Sequence, residues 1–231
     1  MSWTVWLHES DRVTPLRTIA SRVECETDVK KSRFVAVVDR AGTEAEARAV
    51  IAAARKADPA AGHHCSAFIV DASSTDLRVD TAGEAQRVER SNDDGEPGGT
   101  AGTPMLDVLR GHHLTNVVAV VSRYFGGTKL GTGGLARAYG GAVTEALSGA
   151  TFLTRERREI MTLELDHAEV GRVESELRGH GVLVVGTSYG ARAVLTVAVP
   201  DADSTAALVA SLTAGRVVPV LDGHMYAEIP D

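Results

Sequence analysis

Cysteine is nearly absent from this chain, and so is any surplus of positive charge. Only Cys25 and Cys65 occur among 231 residues, with no C-x-x-C pair. A disulfide framework is therefore excluded, and both thiols are expected to be reduced and packed. Lys and Arg number 24 against 31 Asp and Glu, a net charge of −7. General binding to polyanions depends on neutralising many phosphates, so any nucleic-acid site must be a local patch. No apolar run approaches the roughly 18 residues of a membrane span. Met1 to Thr14 lacks the apolar region of a signal peptide. A cytoplasmic protein without membrane contact is expected.

What the chain has in abundance is glycine, 23 residues in all, with seven of them crowded into one short stretch. Arg123 to Gly141, RYFGGTKLGTGGLARAYGG, holds Gly126, Gly127, Gly131, Gly133, Gly134, Gly140 and Gly141 together with Arg123, Lys129 and Arg137. Upstream, Val117 to Val121 is a β-branched run of strand length, the pattern of a strand buried on both faces. Downstream, Leu135, Ala138, Tyr139, Ala142, Val143 and Ala146 repeat at helical spacing. Strand, glycine loop and helix follow one another. A helix start offers unpaired N–H groups and about half a positive charge, so Thr132 and its neighbours are expected to receive a phosphate or carboxylate, with Arg137 beside them. Gly140 and Gly141 read instead as helix-to-sheet packing.

Two familiar phosphate motifs do not fit. Gly126 and Gly131 have Walker A separation, but Thr132 stands where that motif needs lysine. Gly131 to Ala136 reads G-x-G-x-x-A, yet Arg123 to Leu130 separate it from its strand, and no second parallel strand with an acidic end follows.

The surrounding segments complete a first domain over 17–152, after an N-terminal arm at 1–16 containing Trp3 and Trp6. Ile19 to Cys25 and Ser32 to Val38 are predicted strands joined through Asp28 to Lys31. Lys30, Lys31 and Arg33 are a dense basic cluster, either a charged hairpin tip or a phosphate-contacting edge. Thr43 and Glu46 form a capping box for a helix that stops at Asp58-Pro59. His63-His64-Cys65 opens another strand. Adjacent strand residues point to opposite faces, and no partner pair is spaced for zinc, so no metal is expected. His64 is expected to face the acidic loop that follows. In that loop Asp93, Asp94 and Glu96 serve Asx turns and capping, or else act as a base or cation ligand. Thr103-Pro104 is a predicted helix start.

These motifs occur in the order found in the YigZ/IMPACT family, which the chain resembles as a bacterial two-domain member. They are Lys30-Lys31-Ser32-Arg33-Phe34, His63-His64-Cys65, Asp93 to Pro97 through Gly102 to Met105, and Arg123 to Gly127 through Leu130 to Gly140. The resemblance implies an α+β protein. Its first domain would have the β-α-β arrangement shared by a ribosomal small-subunit protein, domain IV of elongation factor G and the GHMP kinases, and its second would resemble domain V of that factor. Eukaryotic members are linked to translational control. The serine-rich part of the kinase loop is missing here, and no cofactor is implied.

Over 155–231 the pattern restarts after a charged connection, Thr154 to Glu159. Met161, Leu163 and Leu165 alternate as a strand, and Asp166 with Glu169 caps a helix that ends near Gly179. A hairpin turns at Tyr189 to Ala191. A second helix follows Asp201, and Val217 to Ile229 is extended. The order βαββαβ is the ferredoxin-like pattern. This part carries 7 basic and 12 acidic residues, against 17 and 19 up to Thr154. It has only Tyr189 and Tyr226 for stacking, so a protein partner suits it better than RNA.

Together these features predict a translation-associated regulatory protein that binds RNA or the ribosome. The contacts would come from Arg123, Lys129, Arg137, Lys30, Lys31, Arg33 and the Gly131, Thr132, Gly133 and Gly134 backbone, with Tyr124 or Phe125 for stacking. Two alternatives stand beside it. One is an enzyme for a phosphorylated or nucleotide substrate, using His64, Asp93, Asp94 or Glu96. The other is a protein-interaction module.

Overall fold

The computed structural model describes residues 15–71 and 87–231; most of the arm expected at 1–16 lies outside them. The chain divides into two compact units, one comprising 15–69, 89–154 and 230–231 of the described residues, the other 70–71, 87–88 and 155–229. The protein is a two-domain α+β protein.

The first unit begins with β1 (Arg17–Ile19), β2 (Val23–Val29) and β3 (Ser32–Arg40). The single strand expected from Ile19 to Cys25 is in fact two. The chain bends through exposed residues 20–22, and the halves take different partners, β1 the start of a later strand at Phe152 to Thr154 and β2 its neighbour β3. The β2–β3 loop is only Lys30 and Lys31, at φ 47° and 69°. Positive φ at both positions is the geometry that matches strand twist in a two-residue hairpin, normally supplied by Asn-Gly.

Next come α1 (Glu44–Ala57), β4 (His63–Asp71), β5 (Arg87–Asn92), α2 (Gly102–Gly111), β6 (Val117–Tyr124) and α3 (Thr132–Ser148). Thr43 caps α1 as expected, accepting from the Glu46 N–H, although Glu46 reaches back to the N–H of Gly42. The sheet order is β2-β3-β6-β4-β5, with β6 antiparallel to both neighbours. Phe34, Cys65, Ala119 and Val121 face a core closed by Met105 and Leu109 of α2 and by Leu135, Tyr139 and Val143 of α3. Val118 and Val120 are buried outside that core, and α1 packs on β6. Thus β6 is covered on both faces, as its unbroken β-branched run requires. Gly140 contacts not the sheet but α2, where an added Cβ would lie 3.6 Å from the Pro104 carbonyl oxygen.

The second unit is built from β7 (Phe152–Leu165) beyond Thr154, α4 (Val170–Gly179), β8 (Leu183–Tyr189), β9 (Ala193–Val199), α5 (Ala202–Thr213) and β10 (Val220–Pro230) up to Ile229. The sheet order β10-β7-β9-β8 is that of the ferredoxin-like split βαβ fold. Met161, Leu163, Leu165, Val173, Leu177, Leu195, Val197 and Val209 form its core. The connection expected at Thr154 to Glu159 is strand instead. Arg155 is buried there, 3.2 Å from the Asp71 carboxylate and 5.0 Å from the Tyr226 ring centroid, so its charge is neutralised rather than solvated. The Asp166–Glu169 cap also differs. Glu169 itself occupies the cap position but its side chain pairs with Arg216 instead of capping the helix, and Asp166 pairs with Arg192 at 3.3 Å.

Candidate phosphate and nucleic-acid interface

The register of the first sheet assembles the site. Phe34 of β3 and His63 of β4 both lie opposite Arg123 on β6, and Arg33 lies opposite Tyr124. The β2–β3 hairpin tip therefore meets the end of β6, where the glycine loop begins. An added Cβ on Gly126 would stand 1.7 Å from the Lys31 carbonyl oxygen, and the Gly126 N–H donates to Ser32 Oγ at 3.2 Å. Only glycine permits that approach.

Beyond the loop, α3 starts with no side-chain cap. Gly131 is its N-cap at φ 71°, and its carbonyl accepts the Leu135 N–H at 2.9 Å. Thr132 and Gly133 are exposed and Gly134 half-buried. Arg137, one turn in, folds back over this opening, its Nη1 lying 3.5 Å from where a Gly133 Cβ would be. Lys129, Lys30 and Lys31 are exposed. An uncapped helix start, an arginine folded over it and three exposed lysines can hold phosphate oxygens.

Arg123 is placed differently from the sequence expectation of a surface cation. It is 5% exposed, and its Nη1 donates to Glu96 Oε1 at 2.5 Å. Tyr139 donates to the same oxygen at 2.7 Å, and His63 Nε2 lies 4.0 Å from it. The guanidinium carbon sits 5.6 Å from the Phe34 ring centroid and 5.5 Å from that of Phe125. Tyr124 is also engaged, with its hydroxyl donating to Asp58 at 2.6 Å and Arg33 over its ring at 4.0 Å. Arg33 further pairs with Glu26 at 3.4 Å. Phe125, by contrast, is 58% exposed.

The acidic loop is a built turn. Asp93 accepts the backbone N–H groups of Gly99, Ala101 and Gly102 at 2.8 to 2.9 Å. It thereby serves the start of α2, which opens at Gly102 and not at Thr103-Pro104. Burial works to raise the Asp93 carboxyl, but the three N–H donors outweigh it and hold the group below its usual range. Asp94 accepts from the His64 N–H at 2.7 Å and from Arg55 at 2.5 Å. The ring turned toward this loop is that of His63, bonded to the Asp94 carbonyl at 2.9 Å; the His64 ring lies on the other side, at Ser122 Oγ. Burial pushes the Cys65 thiol up to about 12, and its Sγ donates to the Asp93 carbonyl at 3.0 Å, so it stays protonated and inert. Among the described residues no group of three or more His, Cys, Asp and Glu is arranged to hold a metal ion.

Sequence reasoning missed the bond between Tyr139 and Glu96, because Tyr139 fitted the apolar stripe of α3 so well. It also missed the contact of Ser32 with Gly126, for which no local signal exists.

This architecture matches known proteins over most of its length. The Impact N-terminal domain matches residues 30–147. The chain belongs to the IMPACT family. A second match, a domain of unknown function called DUF1949, covers residues 163–216. The IMPACT family member YvyE of Bacillus subtilis is 40% identical over 172 residues, 74% of each chain. The family member YigZ of Escherichia coli is 36% identical over 183 residues, covering 79% of this chain and 85% of that one. A solved structure described as a hypothetical protein superposes with a TM-score of 0.60 at 31% identity, over 89% of this chain and 96% of that chain. No helix among the described residues of this IMPACT member is long and apolar enough to cross a membrane.

Proposed function

We propose that this IMPACT family member regulates translation by binding RNA or the ribosome through phosphates held at the start of α3. The observation that carries the reading is the uncapped first turn at Thr132 to Gly134, with Arg137 folded onto it. Lys129 precedes it in the same loop, and exposed Lys30 and Lys31 form the hairpin tip whose Lys31 carbonyl meets that loop at Gly126. Both hairpin lysines occupy left-handed conformations that cost about 1–2 kcal/mol each in a residue with a Cβ. Strain kept at a surface turn is explained by a use for the side chains. In this reading Lys30, Lys31, Lys129, Arg137 and the Gly131 to Gly134 backbone touch phosphate, while Arg123, Arg33 and Tyr124 position the strand ends.

The enzyme alternative is less well supported, because each of its candidates is engaged by the chain itself. Asp93 holds three backbone N–H groups, Asp94 holds His64 N–H and Arg55, Glu96 holds Arg123 and Tyr139, and His64 holds Ser122. A protein partner on the acidic second unit is a second reading, favoured by exposed Val218, Val220 and Leu221. The test is binding of labelled single-stranded RNA, ATP and GTP across a salt series. RNA binding that weakens with salt and is lost in a Lys129→Ala/Arg137→Ala variant supports the phosphate site. Saturable nucleotide binding without RNA binding supports the enzyme, and silence in both supports the protein partner.

A further inference from the structure

We infer that Phe125 is a stacking platform for an unpaired nucleobase, so that the nucleic acid this site takes is single-stranded. The inference rests on the phosphate reading above and adds the class of ligand to it.

Three aromatic rings stand at this end of the sheet, and the structure separates their roles. Phe34 is fully buried and packs edge-on against Tyr139, ring centroids 5.2 Å apart. Tyr124 has one face covered by Arg33 and its hydroxyl tied to Asp58. Phe125 alone of the three is largely exposed, at 58%. An isolated exposed phenylalanine is ordinary; this one is braced. The Arg123 guanidinium carbon lies 5.5 Å from its ring centroid, and Arg123 is itself pinned by Glu96, which Tyr139 also holds. On its other side in sequence, Gly126 is locked against the Lys31 carbonyl.

With Arg123 beside the ring and Gly126 held at the Lys31 carbonyl, the backbone that carries the ring is held in place where the glycine loop begins beside the hairpin tip. A cation near the ring and phosphate-seeking lysines on both flanks complement a splayed nucleotide, whose base is apolar on its faces and whose backbone is anionic. Inside an A-form duplex the base faces are occupied by their neighbours, so internal base pairs cannot use the platform. The arrangement also accounts for a cation buried where the sequence suggested a surface contact: Arg123 is a positioning residue for Phe125.

The deciding experiment is fluorescence anisotropy with four probes: a labelled ten-nucleotide single-stranded RNA, the same backbone with abasic sites, a blunt RNA duplex, and inorganic polyphosphate. Wild type, Phe125→Ala, Phe125→Trp and Lys129→Ala/Arg137→Ala are compared, each first shown by thermal melting to be folded. The expected result is a loss of about tenfold in single-strand affinity for Phe125→Ala, within the range of one base–aromatic stack. Its salt slope should be unchanged, Phe125→Trp should bind at least as well as wild type, and Phe125→Ala should have no effect on the abasic probe, the duplex or polyphosphate, an equal loss on the duplex counting against the single-strand claim. If Phe125→Ala leaves single-strand affinity intact, or weakens the abasic probe equally, the stacking inference is overturned while the phosphate reading stands. If wild type binds none of the probes at low salt, the phosphate reading itself fails and takes this one with it.

Discussion

Arg123 and Glu96 form an ion pair of 2.5 Å inside the first domain, with both side chains less than a tenth exposed. Breaking such a pair from one side leaves a buried charge without a counterion, at about 3–5 kcal/mol. Glu96→Ala is therefore expected to lower the urea midpoint strongly, and Glu96→Gln, which keeps an acceptor for Arg123 and Tyr139, by less. The double variant Glu96→Leu/Arg123→Met removes both charges and should be more stable than Glu96→Ala alone. Equilibrium urea unfolding of the three variants checks the order, which a merely surface pair would not produce.

Asp93 makes the acidic loop sensitive to acid. Its folded carboxyl titrates below the ordinary value of 3.8, because three N–H donors favour the anion. The stabilisation it provides is complete above that ordinary value and is lost as pH falls through the depressed folded value. Asp93→Asn cannot accept on both sides of its side chain as the carboxylate does, and is expected to cost about 1.5–3 kcal/mol at neutral pH. The difference in unfolding free energy between wild type and Asp93→Asn should shrink as pH falls below 3.8. Urea titrations at a series of pH values read this directly, and a gap that stays constant would contradict it.

Gly126 and Gly127 are needed for different reasons, and substitution separates them. Gly126→Ala puts a methyl group into the Lys31 carbonyl, so the hairpin tip must move, a clash expected to cost about 1–3 kcal/mol or more. Gly127→Ala has open space but a φ of 86°, and should cost only about 1–2 kcal/mol. Amide exchange at Ser32 and Gly126 should accelerate in the first variant and not in the second.

Much of this was legible in the chain itself, and the failures share a cause. The buried β6 run, the α3 stripe, the α1 cap and the ferredoxin-like order all rest on local periodicity, which sequence displays. The burial of Arg123, expected as a phosphate contact, is invisible in sequence because its partner Glu96 is 27 residues away and its aromatic neighbour Phe34 lies on another strand. Asp93 caps α2 from eight and nine positions upstream, beyond any capping rule. Thr154 to Glu159 looked like a linker because Arg155 carries a charge, and only Asp71 and Tyr226 reveal that it is buried. Local patterns identified the elements, whereas pairing between distant residues decided which site groups face solvent.

The hairpin lysines offer a trade between stability and binding. Asn-Gly suits a two-residue turn with both φ values positive, so Lys30→Asn/Lys31→Gly is expected to raise stability by about 1 kcal/mol. The same change removes two cations from the proposed phosphate path. Stability should rise in thermal melting while RNA affinity falls; a rise in both would remove the lysines from the site.

Salt dependence counts the phosphates directly. Each contact made to a single strand contributes roughly 0.7 to the slope of log affinity against log salt concentration. Lys129→Ala/Arg137→Ala should therefore reduce that slope by about 1.4, and adding the two hairpin substitutions by about 1.4 more. Glu96→Leu/Arg123→Met, which strands neither charge, should weaken binding through Phe125 without changing the slope, since the guanidinium it removes is paired with Glu96 and neutralises no phosphate. The two kinds of variant thus separate in one titration: loss of slope marks a residue that touches phosphate, and loss of affinity at constant slope marks one that holds the platform. A slope change for Glu96→Leu/Arg123→Met as large as that for Arg137→Ala would mean that the Glu96 pair opens on binding and that Arg123 reaches the ligand itself.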